Sequence, residues 1–162
     1  MTTRIVHVLA LSLWFGGGMF FSFVAAPSLF ATFDSHTAGQ AVGPMFPLYF
    51  AIQGACGLLA LATAAAWARN GTLHGWRFAV ITAAVGLVLA GWPLVGKVAE
   101  LRAARESADA VVAATAREAF GMWHGISLML NMATLALVGA AVALMAVLPD
   151  RGPRITDAHD SL

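Results

Sequence analysis

The chain has 162 residues, of which 60% are hydrophobic and only 10% are charged, whereas an ordinary soluble domain carries about 25% charged residues. Its formal net charge of +1 provides no basic field of the kind that nucleic acids require, so no nucleic-acid partner is expected. The single cysteine, Cys56, excludes an intramolecular disulfide and any paired-cysteine metal or redox motif. This composition is typical of a membrane protein whose partner is the lipid bilayer.

Four segments lack Arg, Lys, Asp and Glu over about 20 residues, the length that a helix needs to cross a bilayer. In chain order they are residues 5–33, about 47–67, 78–96 and about 120–148. None shows the alternating pattern of a barrel strand, so transmembrane helices are predicted. The first segment is too long for the apolar core of a signal peptide, and Pro27 is a poor residue after a cleavage site, so we expect a retained first span.

The connections carry helix signals of their own. Residues 35–46 suit a turn and a short interfacial helix. Residues 97–118 are alanine-rich with oppositely charged residues four apart, which predicts helical extensions of spans three and four and a break or N-cap at Ser107 or Asp109. The predicted fold is therefore all-α, an integral membrane four-helix bundle of up-down topology with an extramembrane helical hairpin between spans three and four.

We predict a single four-span transmembrane domain, residues 1–149, followed by a polar and disordered tail, residues 150–162. Five Lys or Arg residues flank the side of the termini and four flank the other side. The acidic residues that accompany the second group contribute little to the positive-inside rule. We therefore favour cytoplasmic termini and a multi-pass location in a bacterial inner membrane.

Helical-wheel positions predict which face of each span meets the other spans, because small and polar residues mark helix contacts in lipid. The predicted inward faces of the four spans are, in order, His7, Trp14, Gly18, Ser22 and Ala25; Tyr49, Gln53, Cys56, Ala60, Thr63 and Trp67; Thr82, Gly86, Pro93 and Gly96; and His124, Ser127, Asn131 and Leu135. The same rule predicts a helix-packing motif of Trp14, Gly16, Gly17, Gly18, Gly121 and Gly125.

Two histidines, His7 and His124, are the ionisable side chains within the spans, and such residues are functional candidates by default. His7 is the candidate metal or haem ligand. The alternative for both is a helix-end imidazole that is hydrogen-bonded to a carbonyl, a head group or water. Up-down topology separates them by about 25 Å along the bundle at 1.5 Å per residue, so one haem iron cannot bind both.

Polar residues at the depth of His124 form a second candidate site. Tyr49 and Gln53 begin span two, and Ser127 and Asn131 follow His124 along span four, which favours a polar interior binding pocket or pathway. The alternative is an interhelical hydrogen-bond network that only fixes packing. The spans contain no carboxylate for proton-coupled transport, and the chain has no nucleophile–base–acid set or phosphate loop, so an enzyme is not favoured.

Three stretches carry a resemblance to a known family: HVLALSLWFGG at residues 7–17, FPLYF at residues 46–50 and FGMWHGISLMLN at residues 120–131. They resemble the bacterial relatives of transmembrane protein 205, and the likeness covers nearly the whole chain. It implies an uncharacterised four-span membrane domain without an established activity. The eukaryotic member is associated with resistance to platinum drugs.

The first stretch also resembles span one of the copper-resistance protein D group and of the four-helix protoporphyrinogen oxidase. That resemblance implies a haem-binding membrane oxidoreductase with His7 as an axial ligand. Three classes of function therefore stay open. They are an interaction scaffold, a small-solute or metal permeation or resistance protein and, as the alternative, the haem oxidoreductase. We expect the second class to form a homo-oligomer, because four thin helices leave little room for an internal pore.

Overall fold

The computed structural model describes residues 2–68 and 72–147, which are almost entirely helical and include no strand. The helices are α1 (Thr2–Phe20), α2 (Ala26–Thr32), α3 (Ser35–Val42), α4 (Met45–Ala68), α5 (Thr72–Ala104) and α6 (Ala110–Val147). A π-helical turn, Phe21–Ala25, joins α1 to α2. The predicted tail, residues 150–162, lies outside the described residues.

Four stretches of helix are long and apolar enough to cross a membrane, namely Thr2–Thr32, Met45–Ala66, Gly75–Ala104 and Ala110–Ala146. They coincide with the four predicted spans, and the all-α membrane bundle is confirmed. α5 and α6 have 33 and 38 residues, more than the roughly 20 that the hydrocarbon core requires, so their adjoining ends extend as the predicted hairpin. Asp109 caps α6, since its Oδ1 accepts from the amides of Val111 and Val112 at 2.8 and 3.2 Å.

The π-helical turn in the first span lies immediately before Pro27. Proline has no amide hydrogen, and its ring collides with the carbonyl four residues earlier in a regular α-helix. The wider π-helical turn accommodates this conflict, and the span continues to Thr32. Ser22 lies within the turn and faces α6, where its Oγ accepts a hydrogen bond from Nδ2 of Asn131 at 2.9 Å.

The core lies where α1, α4, α5 and α6 meet. Trp14 of α1 is 1% exposed, and alanines of the same core cluster on the other helices are fully buried: Ala60, Ala84 and Ala141. Hydrophobic attraction between helices is weak in lipid, so close backbone approach at small residues supplies much of the packing energy. The inward faces predicted for spans one and two are largely confirmed, because His7, Trp14, Gly18, Tyr49, Gln53, Cys56 and Ala60 are buried.

The inward face predicted for span three is wrong. Its members are exposed, and the opposite face packs in the bundle through Arg77, Ile81, Ala84, Val85, Val88 and Gly91. An apolar side chain has a similar free energy against lipid and against another helix. When the buried face of a span is apolar, polarity therefore does not distinguish it from the face that meets lipid. On span four Leu135 is buried, Ser127 and Asn131 are half-buried, and His124 is exposed.

Two glycines mark close approaches between helices. A Cβ added at Gly57 would lie 2.8 Å from the Trp14 ring, and one added at Gly18 would collide with Leu135. For the other glycines of the predicted packing motif, an added Cβ would meet no atom of another helix within 4 Å among the described residues: Gly16, Gly17, Gly121 and Gly125. Trp14 and Gly18 are thus the members of the predicted motif at which the structure shows a close contact between helices.

Candidate functional site

A cavity of about 610 Å³ opens beside the second half of the first span. Its walls come from the π-helical turn, α2 and α3 on one side and from the start of α4, the end of α5 and the start of α6 on the other. This volume is within the ~300–1,000 Å³ range of small-molecule sites. Among the described residues α2 contacts the π-helical turn and α3 but not α5 or α6. The cavity therefore occupies a gap between the spans.

The floor of the cavity is a hydrogen-bonded network centred on Asn131. Its Oδ1 accepts from the Tyr49 hydroxyl at 2.7 Å and from Nε2 of Gln53 at 3.4 Å, while its Nδ2 donates to Ser22. Nε1 of Trp14 donates to Oε1 of Gln53 at 3.1 Å. Polar groups away from water need such partners, and here they tie spans one, two and four together below the cavity.

Aromatic rings form much of the wall. Phe21 stacks on Tyr49 with ring centroids 4.5 Å apart and meets Phe46 edge to face at 5.6 Å. Further rings line the same space, namely Phe30, Phe50 and Phe120. The wall therefore presents an apolar surface suited to a hydrocarbon chain or a ring.

Three arginines stand at the mouth of the cavity: Arg102, Arg105 and Arg117. Nη1 of Arg102 donates to the Gly39 carbonyl at 3.2 Å. The guanidinium carbons of Arg102 and Arg105 lie 6.0 and 4.7 Å from the ring centroid of Phe120. Within residues 2–68 and 72–147, none of the three arginines forms an ion pair with a carboxylate.

α3 borders the mouth and is anchored at its N-terminus. Oδ1 of Asp34 accepts from the backbone amides of His36 and Thr37 at 3.0 and 3.1 Å, as an N-cap. Hydrogen bonds from the Thr37 side chain and backbone hold the pKa of the Asp34 carboxyl below its usual value. Nε2 of His36 lies 2.8 Å from Oε1 of Glu106, which connects α3 to the hairpin.

The structure brings together the polar residues singled out from the sequence. Four of them line the cavity, namely Tyr49, His124, Ser127 and Asn131, whereas Gln53 is buried behind the floor. The His124 ring stacks on Phe120 with centroids 5.3 Å apart, and the hydrogen bonds of the Asn131 network are formed by other side chains. The network therefore forms the floor of the cavity through Ser22, Tyr49 and Asn131, while His124 belongs to the wall.

His7 lies at the opposite end of the bundle. Its side chain is fully buried, and its Nδ1 lies 2.6 Å from Oγ1 of Thr63. The His7 side chain has no accessible surface, so within the described residues no space for a porphyrin adjoins it. Among the residues that the structure describes, no group of three or more His, Cys, Asp or Glu side chains could hold a metal ion.

The arginines at the mouth are the functional candidates that sequence reasoning missed. The oppositely charged residues four apart in residues 97–118 are Arg102 with Glu106 and Arg105 with Asp109, a spacing that predicts ion pairs within a helix. α5 ends at Ala104, so their expected partners, Glu106 and Asp109, fall outside the helix and the pairs do not form. One sequence signal was available, because aromatic and basic residues near the end of a span are typical of a membrane interface.

The fold and the cavity define a class: a multi-pass helical membrane protein with a ligand-sized space between its spans. The family model described as Domain of unknown function (DUF4149) matches residues 9–107, and the chain belongs to this family. The match includes Arg102 and Arg105, whereas span four lies beyond it. No curated protein and no solved structure matches the chain. An uncharacterised family is thereby confirmed, without support for the resemblances to transmembrane protein 205 or copper-resistance protein D.

Proposed function

We propose that this protein binds an amphipathic small molecule within the membrane, in the cavity between the first span and α6. The observation that carries the proposal is the order of chemical groups along the cavity. Arginines stand at the mouth, aromatic rings form the wall, and the polar floor satisfies its own hydrogen bonds. A molecule with a polar head and an apolar body matches that order.

Binding is favoured over permeation because the cavity is closed below its floor. Trp14, Leu11 and Ala60 are at most 1% exposed there, so no open path toward His7 is seen among the described residues. Passage of a solute would require the spans to separate. The likeness to transmembrane protein 205 would add a role in resistance. Such a role is compatible with binding, because a protein that binds an amphiphile can sequester it.

The position of the mouth predicts where the ligand comes from. The mouth lies at the end of the bundle that carries the α5–α6 hairpin, away from the start of α1. If both termini are cytoplasmic, as the positive-inside rule favours, the mouth faces the outer leaflet. The gap between α2 and α6 allows lateral entry from lipid.

Blocking the cavity tests this function. Ala26 lines the cavity and is half-buried, so the indole of Ala26→Trp would occupy part of the cavity and obstruct it, whereas Ala83→Trp places the same ring on the exposed face of α5. We expect native mass spectrometry with added lysophosphatidic acid to show a one-to-one complex for the parent and for Ala83→Trp. Ala26→Trp should bind at least about tenfold more weakly, which corresponds to about 1.4 kcal/mol.

Circular dichroism of each variant in detergent controls for folding. If folded Ala26→Trp binds like the parent, the cavity is not the binding site. If the parent retains no amphiphile at all, the proposed function is wrong.

A further inference from the structure

We infer that the mouth of the cavity is a phosphate-binding site, in which Arg102, Arg105 and Arg117 bind the phosphate head group of a single-chain lipid. This inference rests on the proposed function and specifies its ligand class. The inference concerns only the charged mouth. The aromatic wall and the floor would accept the apolar part of an amphiphile whatever its head group.

The first step is the charge balance of the lining. The cavity is lined by three guanidinium groups and one carboxylate, that of Glu106. Glu106 lies 2.8 Å from His36 and none of the three arginines is paired with it, so it leaves the guanidinium charges unbalanced. Positive charges that face a common space beside a low-dielectric bilayer are stabilised by an anion there.

The second step is the placement of the arginines. Arg102 and Arg105 both lie within 6.0 Å of the Phe120 ring centroid, so two like charges share one ring, while Arg117 reaches the same cavity from α6. A backbone carbonyl at 3.2 Å and an aromatic face are weaker partners for guanidinium than an oxyanion. An anion between the helices would therefore add charge-assisted bonds and reduce the repulsion.

The third step is the number of donors. One guanidinium fork already matches both oxygens of a carboxylate, whereas three forks suit an anion with more oxygens and up to two charges. A phosphate monoester has three terminal oxygens and meets this requirement. The donor set therefore favours phosphate over carboxylate.

The depth of the arginines indicates that a lipid carries this phosphate. Arg102 is six residues beyond Gly96, where the charge-free segment of span three ends. It therefore lies about 9 Å farther along α5 at 1.5 Å per residue, in the head-group layer. A free phosphate bound to these arginines would leave the aromatic wall without a ligand. A lipid would occupy the mouth with its phosphate and the aromatic wall with its acyl chain.

The experiment compares three amphiphiles with the same acyl chain: lysophosphatidic acid, the fatty acid and the uncharged monoacylglycerol. Affinities for the full chain in detergent are measured by native mass spectrometry. We expect lysophosphatidic acid to bind about tenfold or more tightly than either of the others. Arg105→Gln and Arg117→Gln should each reduce that preference to a few-fold, without abolishing monoacylglycerol binding.

Lys97→Gln is the matched control. Lys97 belongs to the same connection and pairs with Glu100 at 3.3 Å, but it does not line the cavity, so the preference should persist. A separate arm adds inorganic phosphate at millimolar concentration. It should displace lysophosphatidic acid only weakly, and equal competition would make free phosphate the ligand and overturn the assignment to a lipid.

The outcomes separate the two proposals. Equal binding of all three amphiphiles, or a preference that survives both arginine substitutions, would overturn the phosphate site and leave the proposed function standing. If the fatty acid bound as tightly as lysophosphatidic acid while the monoacylglycerol bound more weakly, the choice of phosphate over carboxylate would be overturned. Binding of none of the three would remove the proposed function itself.

Discussion

Asn131 is the residue on which the floor of the cavity depends. It accepts from Tyr49 and Gln53 and donates to Ser22, so one side chain links three spans. Asn131→Leu keeps the approximate volume and removes all three bonds. Because hydrogen bonds between transmembrane helices contribute about 0.6 kcal/mol on average, we expect the free energy of unfolding to fall by about 1–3 kcal/mol.

Reversible unfolding in bicelles measures this change. Ser127→Ala is the control, since Ser127 lines the same cavity but belongs to no hydrogen bond of the network. Equal stability of the two variants would mean that the network contributes nothing to the fold.

The polar residues of the site could be predicted from the sequence, whereas the arginines could not. Tyr49, Gln53 and Asn131 stand out because polar side chains are rare within charge-free spans. Exposing such a side chain to hydrocarbon costs free energy, so an interior position could be predicted for all three. Arg102 and Arg105 lie at the end of a span, where basic residues are common for reasons of topology alone. Both arginines reach the same cavity because α5 ends at Ala104. The alanine-rich sequence of the connection does not indicate this end point.

Packing between helices depends on glycines at particular crossings. A Cβ at Gly57 would lie 2.8 Å from the Trp14 ring and 3.0 Å from Val85, both well packed, whereas a Cβ at Gly86 would meet nothing. We expect Gly57→Ala to lower the free energy of unfolding by about 1–3 kcal/mol through overpacking. Gly86→Ala should leave it unchanged or slightly raised, because alanine is the better helix former.

The same unfolding measurement compares the two variants. If Gly57→Ala proved as stable as Gly86→Ala, the close approach of α1, α4 and α5 around Trp14 would be incorrect.

Element positions were predictable because the charge-free length of a membrane span is set by the bilayer. The helices α4 and α5 contain the second and third predicted segments, α6 covers the fourth as far as Val147, and the N-cap at Asp109 is among the two positions expected. The buried face of α5 was not predictable, since its apolar side chains suit lipid and protein alike. The π-helical turn also escaped prediction, although Pro27 required some departure from a regular helix.

At the scale of the whole molecule, the chain is a four-span bundle that is tightly packed at one end and open at the other. The packed end contains His7 and the alanine contacts, and the open end contains the cavity between the first span and the hairpin. The first span separates from the other spans there, since α2 contacts only its chain neighbours among the described elements. The central claim is that this open end receives an amphiphile.

Protection of a cysteine inside the cavity tests that claim most directly. In a chain with Cys56→Ala, a cysteine replaces either Ser127, which lines the cavity, or Ala108, which is exposed in the hairpin and outside the cavity. Each variant is treated with a water-soluble maleimide, with and without lysophosphatidic acid. We predict that Ser127→Cys is modified in the empty protein and protected by the lipid, whereas Ala108→Cys reacts equally in both conditions. Modification of Ser127→Cys at the same rate with and without lipid would contradict the account.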